Sequence, residues 1–399
     1  GIYYYFVHEE NKHTLVLAND LSAHEENPWH RNLPYRLDSG STAAADPHVT
    51  RWRRTQEAQP GKVMLRDFDF EEPTGDRDAD HEMQEEHSHG EYEIYDYPGE
   101  YKLKDDGLTY AQVRMEELKD RFERVSGVAH ARGFATGSLF TLHHHPVESQ
   151  NREYLVLGTN IVVQSESYES GAGRGGEIVY TCSFEAMDSR ITYHPPRTTP
   201  KPVIQGPQTA TIVGPSGKLI WTDQYGRVKV KFHWDRYNEK DDKASCWCRV
   251  SQFWAGPEWG SQHLPHIDHE VIVEFEEGDP DRPIVTGRVY NADNMPMLPL
   301  TGQETQSGYR DHGGNEDIWE GDDGKQWMHR QQTCGNEFKM DGTSGSEKIE
   351  IRDKYGNEIV LDAVAGTITA YSPTHETKMV MGKSFNLFSL GDYIKEIQG

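Results

Sequence analysis

Residues 227–256 read RVKVKFHWDRYNEKDDKASCWCRVSQFWAG. From Arg227 to Trp234, charged or polar residues alternate with Val228, Val230, Phe232 and Trp234, the period-2 pattern of a half-buried strand. Cys246 and Cys248 repeat that spacing around Trp247, so on a strand the two thiols share one side and the indole takes the other. Neighbours of that kind stand about 6.5 Å apart, at the limit of what a disulfide can span. A zinc site wants paired knuckles, and Cys182 and Cys334 each stand alone. The CWC triplet therefore reads as barrel wall, with Val228, Val230, Phe232, Trp234 and Trp247 as the expected barrel core. Five of the nine tryptophans, Trp221, Trp234, Trp247, Trp254 and Trp259, crowd into this region, where a small barrel needs large interior fillers. The turns DQYGR, WAGPEWG and EGDPDRP are spaced as in a five-stranded oligonucleotide/oligosaccharide-binding (OB) barrel.

Outward from this stretch the chain remains mainly β. Short apolar-rich runs between turns predict strands at VMLRDFDF from Val63, REYLVLGTNIVV from Arg152 and HEVIVEFEEG from His269. One helix is expected, over LTYAQVRMEELKDRFERVSG, where Ala111, Met115, Leu118, Phe122 and Val125 form an apolar stripe. Thr109 and Gln112 would make its capping box and Gly127 its C-cap. The proline-rich run YHPPRTTPKPVIQGPQ reads as an extended linker, and the polar, glycine-rich run after Leu300 as a second connector. The expected domains are a β-barrel domain with one helix over residues 1–194, a linker over 195–208, the OB barrel over 209–293, a connector over 294–343 and a stem over 344–399. In the stem, Ile349, Ile351, Ile359 and Leu361 alternate on very short strands between glycine turns. Strands of that length need partners to bury enough surface.

Composition excludes several roles. Lys and Arg total 41 against 66 for Asp and Glu, and the net charge of −25 repels nucleic acid and anionic membranes. No apolar run reaches the roughly 18 residues that a membrane-spanning helix needs, and the first residues lack the basic start of a signal peptide. Four scattered cysteines in 399 residues suit synthesis in a reducing compartment. Because no Met opens the chain, it reads as a fragment at its start.

Catalytic motifs are missing. Neither a GxSxG, an HExxH nor a phosphate-binding glycine loop occurs, and nothing marks a carboxylate pair for glycoside hydrolysis. The histidines of HHHP at His143–Pro146 and of EEHSHG around His87 and His89 lack the context of a metal centre. The stretch from Arg66 to Asp106 holds 16 acidic residues against four basic ones. It reads as a solvated face, and its segment DRDADHEMQEEHSHG as a flexible loop. No catalytic, metal or cofactor residue is assigned.

At this point the ordered series GPQTATIVGP, DQYGRVKVKFHWDR and SCWCRVSQFWAGPEWGSQHLPHIDHEVIVEFEEGDPDRPIVTGRVYN resembles the barrel of VgrG proteins, the trimeric spikes of type VI secretion. Upstream, YYYFVHEENKHTLVLAND, IYDYPGEY and SLFTLHHHPVESQNREYLV resemble the family's hub, itself similar to phage tail hubs, without that domain's first part. A departure lies at Pro265-His266-Ile267-Asp268-His269, where the family commonly has Pro-Arg-x-Gly-Gln. The resemblance implies a triple-stranded β-helix stem wound from three chains, with Ile349, Ile351, Ile359 and Leu361 facing its axis. It also implies a non-enzymatic homotrimer that sits on a secreted tube protein, carries a PAAR-type tip protein and effectors, and punctures the target membrane. Such a protein is made in the bacterial cytoplasm, assembled on the contractile apparatus and injected without a signal peptide. The spike of a contractile phage tail or an extracellular injection particle is the alternative with the same mechanics. A cell-wall glycan hydrolase is the alternative of another class.

Overall fold

The computed structural model describes residues 1–37, 46–83, 87–164 and 179–374. Strands dominate, and among the described residues there is one α-helix, Lys104–Phe122. The chain divides into two compact units, Gly1–Pro200 and Lys201–Gly399.

The first unit is built on a mixed sheet whose central strands are Ser138–His143, Glu153–Gln164, Val179–Asp188 and Glu123–Ala129, with Val49–Gln56 at one edge. Phe134, Phe140, Tyr154 and Phe184 fill its core, edge to face or stacked. A smaller sheet places Lys62–Arg66 between Asp78–Glu82 and Glu93–Asp96. The helix buries Ala111 and Met115 against Val63, Leu65 and Ala79 of that sheet.

The helix differs from its sequence expectation at both ends. It starts at Lys104, so Thr109 lies inside it and donates its hydroxyl to the Asp105 carbonyl at 3.0 Å instead of capping. Asp105 and Asp106 in the first turn complement the positive end of the helix dipole. After Phe122 the chain passes directly into the strand Glu123–Ala129, which takes up Val125 and Gly127. Gly127 is no cap. A Cβ there would stand 2.4 Å from Phe184 Cζ and 2.8 Å from the Arg51 carbonyl oxygen, so close sheet packing is what requires glycine. The expected flexible loop is likewise partly ordered: Asp78–Glu82 is a strand. The preceding Arg77 is 7 % exposed and held by Glu72 at 2.9 Å and Asp69 at 3.4 Å.

In the second unit five strands run in the order Lys229–Phe232, Gln208–Val213, Glu270–Phe275, Pro283–Arg288 and Arg249–Val250, with the last pair parallel. Closure comes from Cys248. Its backbone and that of Val228 exchange two hydrogen bonds of 2.9 and 2.7 Å, joining the two outer strands of this order. The barrel is filled by Ala210, Ile212, Val228, Val230, Val271 and Val273, beside Cys248 and Val285. A five-stranded barrel has room inside for branched aliphatic side chains but not for indoles. Among the expected core residues, Val228 and Val230 are fully buried and Phe232 packs against the cluster from its edge. Trp247 is half-buried on the outside, tilted over Trp221 at 4.5 Å, with the Lys229 ammonium 5.3 Å from its ring. Trp234 lies outside the core, 68 % exposed and flat against Phe232 at 5.2 Å. Cys246 is exposed and precedes the strand rather than lining it.

Beyond the barrel, seven strands of five residues each, from Gln306–Arg310 to Thr367–Tyr371, form one antiparallel meander in strict sequence order. Residues 306–343, most of the expected connector, thus belong to the ladder. The ladder itself opens at Gln306, ahead of Ser344.

Candidate functional site

The meander has two chemically distinct faces, and period-2 alternation assigns each side chain to one of them. Trp319, Met328, Met340, Ile349, Leu361 and Ile368 pair in register from strand to strand, forming one apolar row across six strands. A second row on the same face continues Phe338, Ile351, Ile359 and Ala370 in register. All four residues expected to face a stem axis therefore share a face, two in each row. In the isolated chain this face is open: Met340 is 40 %, Ile351 47 %, Ile359 45 %, Leu361 39 % and Ile368 79 % exposed.

The other face is ionic. Lys348 pairs with Glu350 at 2.9 Å, Arg352 bridges Glu337 at 3.0 Å and Glu358 at 2.7 Å, and Lys339 reaches Asp341 at 3.0 Å. Hydrogen bonding from Thr343, with Lys339 beside it, holds the Asp341 carboxyl down at about 2. A sheet with one charged and one apolar face sits stably in water only when the apolar face is covered.

The turns at one end of the meander carry a device that sequence reading missed. Gly-Asn-Glu recurs at Gly314–Glu316, Gly335–Glu337 and Gly356–Glu358, a repeat of 21 residues. Each glycine has a left-handed backbone, with φ of 84°, 96° and 86°, which fits the residue without a Cβ. Each asparagine locks its own turn, donating to Asp311 at 2.8 Å, Gln332 at 2.9 Å and Asp353 at 2.7 Å. Its side-chain oxygen then reaches the next turn along the stem. Asn315 accepts from the Thr333 amide at 3.2 Å, Asn336 from the Lys354 amide at 3.0 Å and Asn357 from the Ser372 hydroxyl at 2.6 Å. The same 21-residue period relates Trp319, Met340 and Leu361, and Met328 to Ile349, a signal from which the first row could have been found up to Leu361; Ile368 falls outside the period because the last turn is shorter.

The turn Pro265–His269, where the chain departs from the family pattern, is held by backbone hydrogen bonds. Asp268 takes the left-handed conformation with φ 71°, and the turn is pinned by Ile267 N–H to the Leu219 carbonyl and Asp268 N–H to the Ile212 carbonyl, at 2.9 and 3.0 Å. Short Asp and Asn side chains tolerate that region better than most. Of the other histidines, His145 packs on Tyr35 and His87 stacks on Phe122. Among the described residues no group of three or more His, Cys, Asp or Glu side chains is arranged to hold a metal ion. No helix among them is long and apolar enough to cross a membrane.

Residues 1–167 match the family model of the phage tail baseplate hub (GPD), and residues 220–290 match that of the type VI secretion system/phage-baseplate injector OB domain. Over 310 residues the chain is 46 % identical to a Pseudomonas aeruginosa protein named type VI secretion system spike protein VgrG1b, covering 78 % of this chain and 42 % of that protein. A Vibrio cholerae protein named actin cross-linking toxin VgrG1 is 33 % identical over 340 residues, covering 83 % of this chain and 31 % of the relative. Among solved structures, an Escherichia coli component of the type VI secretion system, described as similar to bacteriophage tail proteins, matches with a TM-score of 0.41 and 17 % identity over 72 % of this chain and 57 % of that one. The chain spans less than half the length of these curated relatives.

Proposed function

We propose, on the premise that this chain is homologous to the VgrG spike proteins of type VI secretion over 78 % of its length, that it acts as a mechanical spike assembled from three copies. The observation that carries this reading is the pair of open apolar rows on the stem. A row crossing six strands and left in water is a liability for a single chain, and three copies closing around one axis bury it. Backbone hydrogen bonds of the ladder then run along the stem at about 4.8 Å per strand, so axial load is carried by stacked bonds rather than by side chains alone. The hub unit would sit on the secreted tube, the OB barrel would form a collar, and the stem would point toward the target membrane with a PAAR-type tip protein and effectors.

In this reading the chain performs no catalysis. Only 17 residues separate Arg288, at the end of the barrel, from Gln306, at the start of the ladder, far fewer than a lysozyme-like domain needs. The Vibrio cholerae relative named as an actin cross-linking toxin fits an arrangement in which a spike of this kind is joined to an activity carried elsewhere. The test is the mass of the full chain in solution by light scattering. Three chains per particle supports the spike, and a monomer at micromolar concentration removes its basis.

A further inference from the structure

Three histidines meet where the barrel touches the first turn of the stem. His266 and His269, at the two ends of one barrel turn, stack with ring centroids 5.0 Å apart and planes 16° apart. His312, in the turn between the first two stem strands, stands edge-on to His266 at 5.3 Å. The backbone N–H of His266 donates to Nδ1 of His269 at 3.3 Å. That bond needs His269 Nδ1 to be unprotonated, so a proton arriving there sets two donors against each other. A metal ion at Nε2 would meet the same obstacle, because it would move the ring proton to Nδ1.

We propose that His266, His269 and His312 form an acid-sensitive joint between barrel and stem, closed while the stacked imidazoles of His266 and His269 are neutral and loosened when those two take up protons. The surrounding charges leave little compensation. Arg288, on the barrel strand Pro283–Arg288, adds a further positive charge near His269. Asp268 is the carboxylate that favours its protonation, and it is shared with Lys240 at 3.8 Å. On the stem side Asp311 precedes His312, but its carboxylate is occupied by Asn315. Burial first, then the neighbouring imidazoles, lowers the proton affinity of both His266 and His269 below the ordinary value of 6.5.

The sign follows from that direction. The open joint binds more protons than the closed one, so closure is at full strength above 6.5 and is lost as pH falls through and below that value. At pH 5.5 an open imidazole is about ten parts protonated to one part neutral, so each histidine that stays neutral while closed favours opening by at most about tenfold.

Hydrogen exchange of the full chain, followed by mass spectrometry at pH 7.5 and 5.5 and normalised for intrinsic exchange, reads this directly. Peptides covering 263–269 and 310–316 should lose protection at the lower pH, while barrel peptides around Val271 and Val273 keep theirs. The variant H266Q/H269Q/H312Q should show no such pH response. An equal response in the triple variant, or unchanged protection in the wild type, overturns the proposal. H312Q alone alters an exposed side chain and leaves the barrel core intact. If the triple variant does not fold, an undiminished pH response of H312Q overturns the proposal, and a reduced one supports it.

Discussion

Ile368 and Thr369 are neighbours on the last strand of the ladder and stand on its opposite faces. In a single chain Ile368 keeps 79 % of its surface in water, so a lone chain should accept aspartate at either position at almost no cost. A trimer closed over the apolar rows separates the two. Burying a whole isoleucine side chain is worth about 1.5–3 kcal/mol, so the share still exposed here carries roughly 4–7 kcal/mol over three copies. Three carboxylates brought together near one axis add desolvation and mutual repulsion to that loss. Ile368→Asp should therefore convert three-chain particles to single chains in light scattering at micromolar concentration, while Thr369→Asp keeps the trimer. Both variants should retain a folded barrel by circular dichroism. Equal masses for the two variants would refute the assignment of the apolar face to the axis. Arg352 is no neutral control for this comparison, although it lies on the ionic face, because it bridges Glu337 and Glu358 and its reversal would gather three carboxylates.

Three further outcomes are expected. Asn336→Ala removes the acceptor for the Lys354 amide; it should cost about 1–2 kcal/mol per copy and speed exchange at that amide, and an unchanged exchange rate would count against the inter-turn link. Cys248→Ser places a hydroxyl among valines and should lower stability in urea by about 1–3 kcal/mol, whereas exposed Cys246→Ser should stay within about 0.5 kcal/mol of wild type; equal effects would show that the barrel does not close at Cys248. Trp247→Ala, at a half-buried site, should cost less than the roughly 3–5 kcal/mol of a fully buried tryptophan, with Trp234→Ala cheaper still; a midpoint loss larger for Trp234 would reverse the placement of the two rings.

The strand content was legible because alternation survives wherever one face is buried, as from Val228 to Phe232. The helix was legible in kind and misjudged in extent. In the sequence its apolar stripe runs on to Val125 only because a strand follows without a turn, and at that junction helical and strand spacings coincide for a few residues. The tryptophans misled for a reason of scale: apolar character alone does not reveal whether a cavity can hold an indole, and here Ala210, Val228 and Val230 leave it no room. In the stem, Ile349 to Leu361 were legible as alternating strands, whereas Trp319, Met328 and Met340 were hidden in a polar run. What places them is the recurrence of Gly-Asn-Glu, a correlation across repeats rather than within any one window.

That repeat makes the stem a ruler. Each unit of 21 residues supplies two strands and returns the chain to the same edge, facing the same way. Adding one would lengthen the ladder by about 9–10 Å, two strand spacings, without altering which side chains share the apolar face or which asparagine clasps the next turn. The ladder can therefore be lengthened or shortened in whole steps by duplication or loss of a unit, leaving its two faces as they are, whereas an insertion of an odd number of residues within a strand turns the rest of that strand to the opposite face.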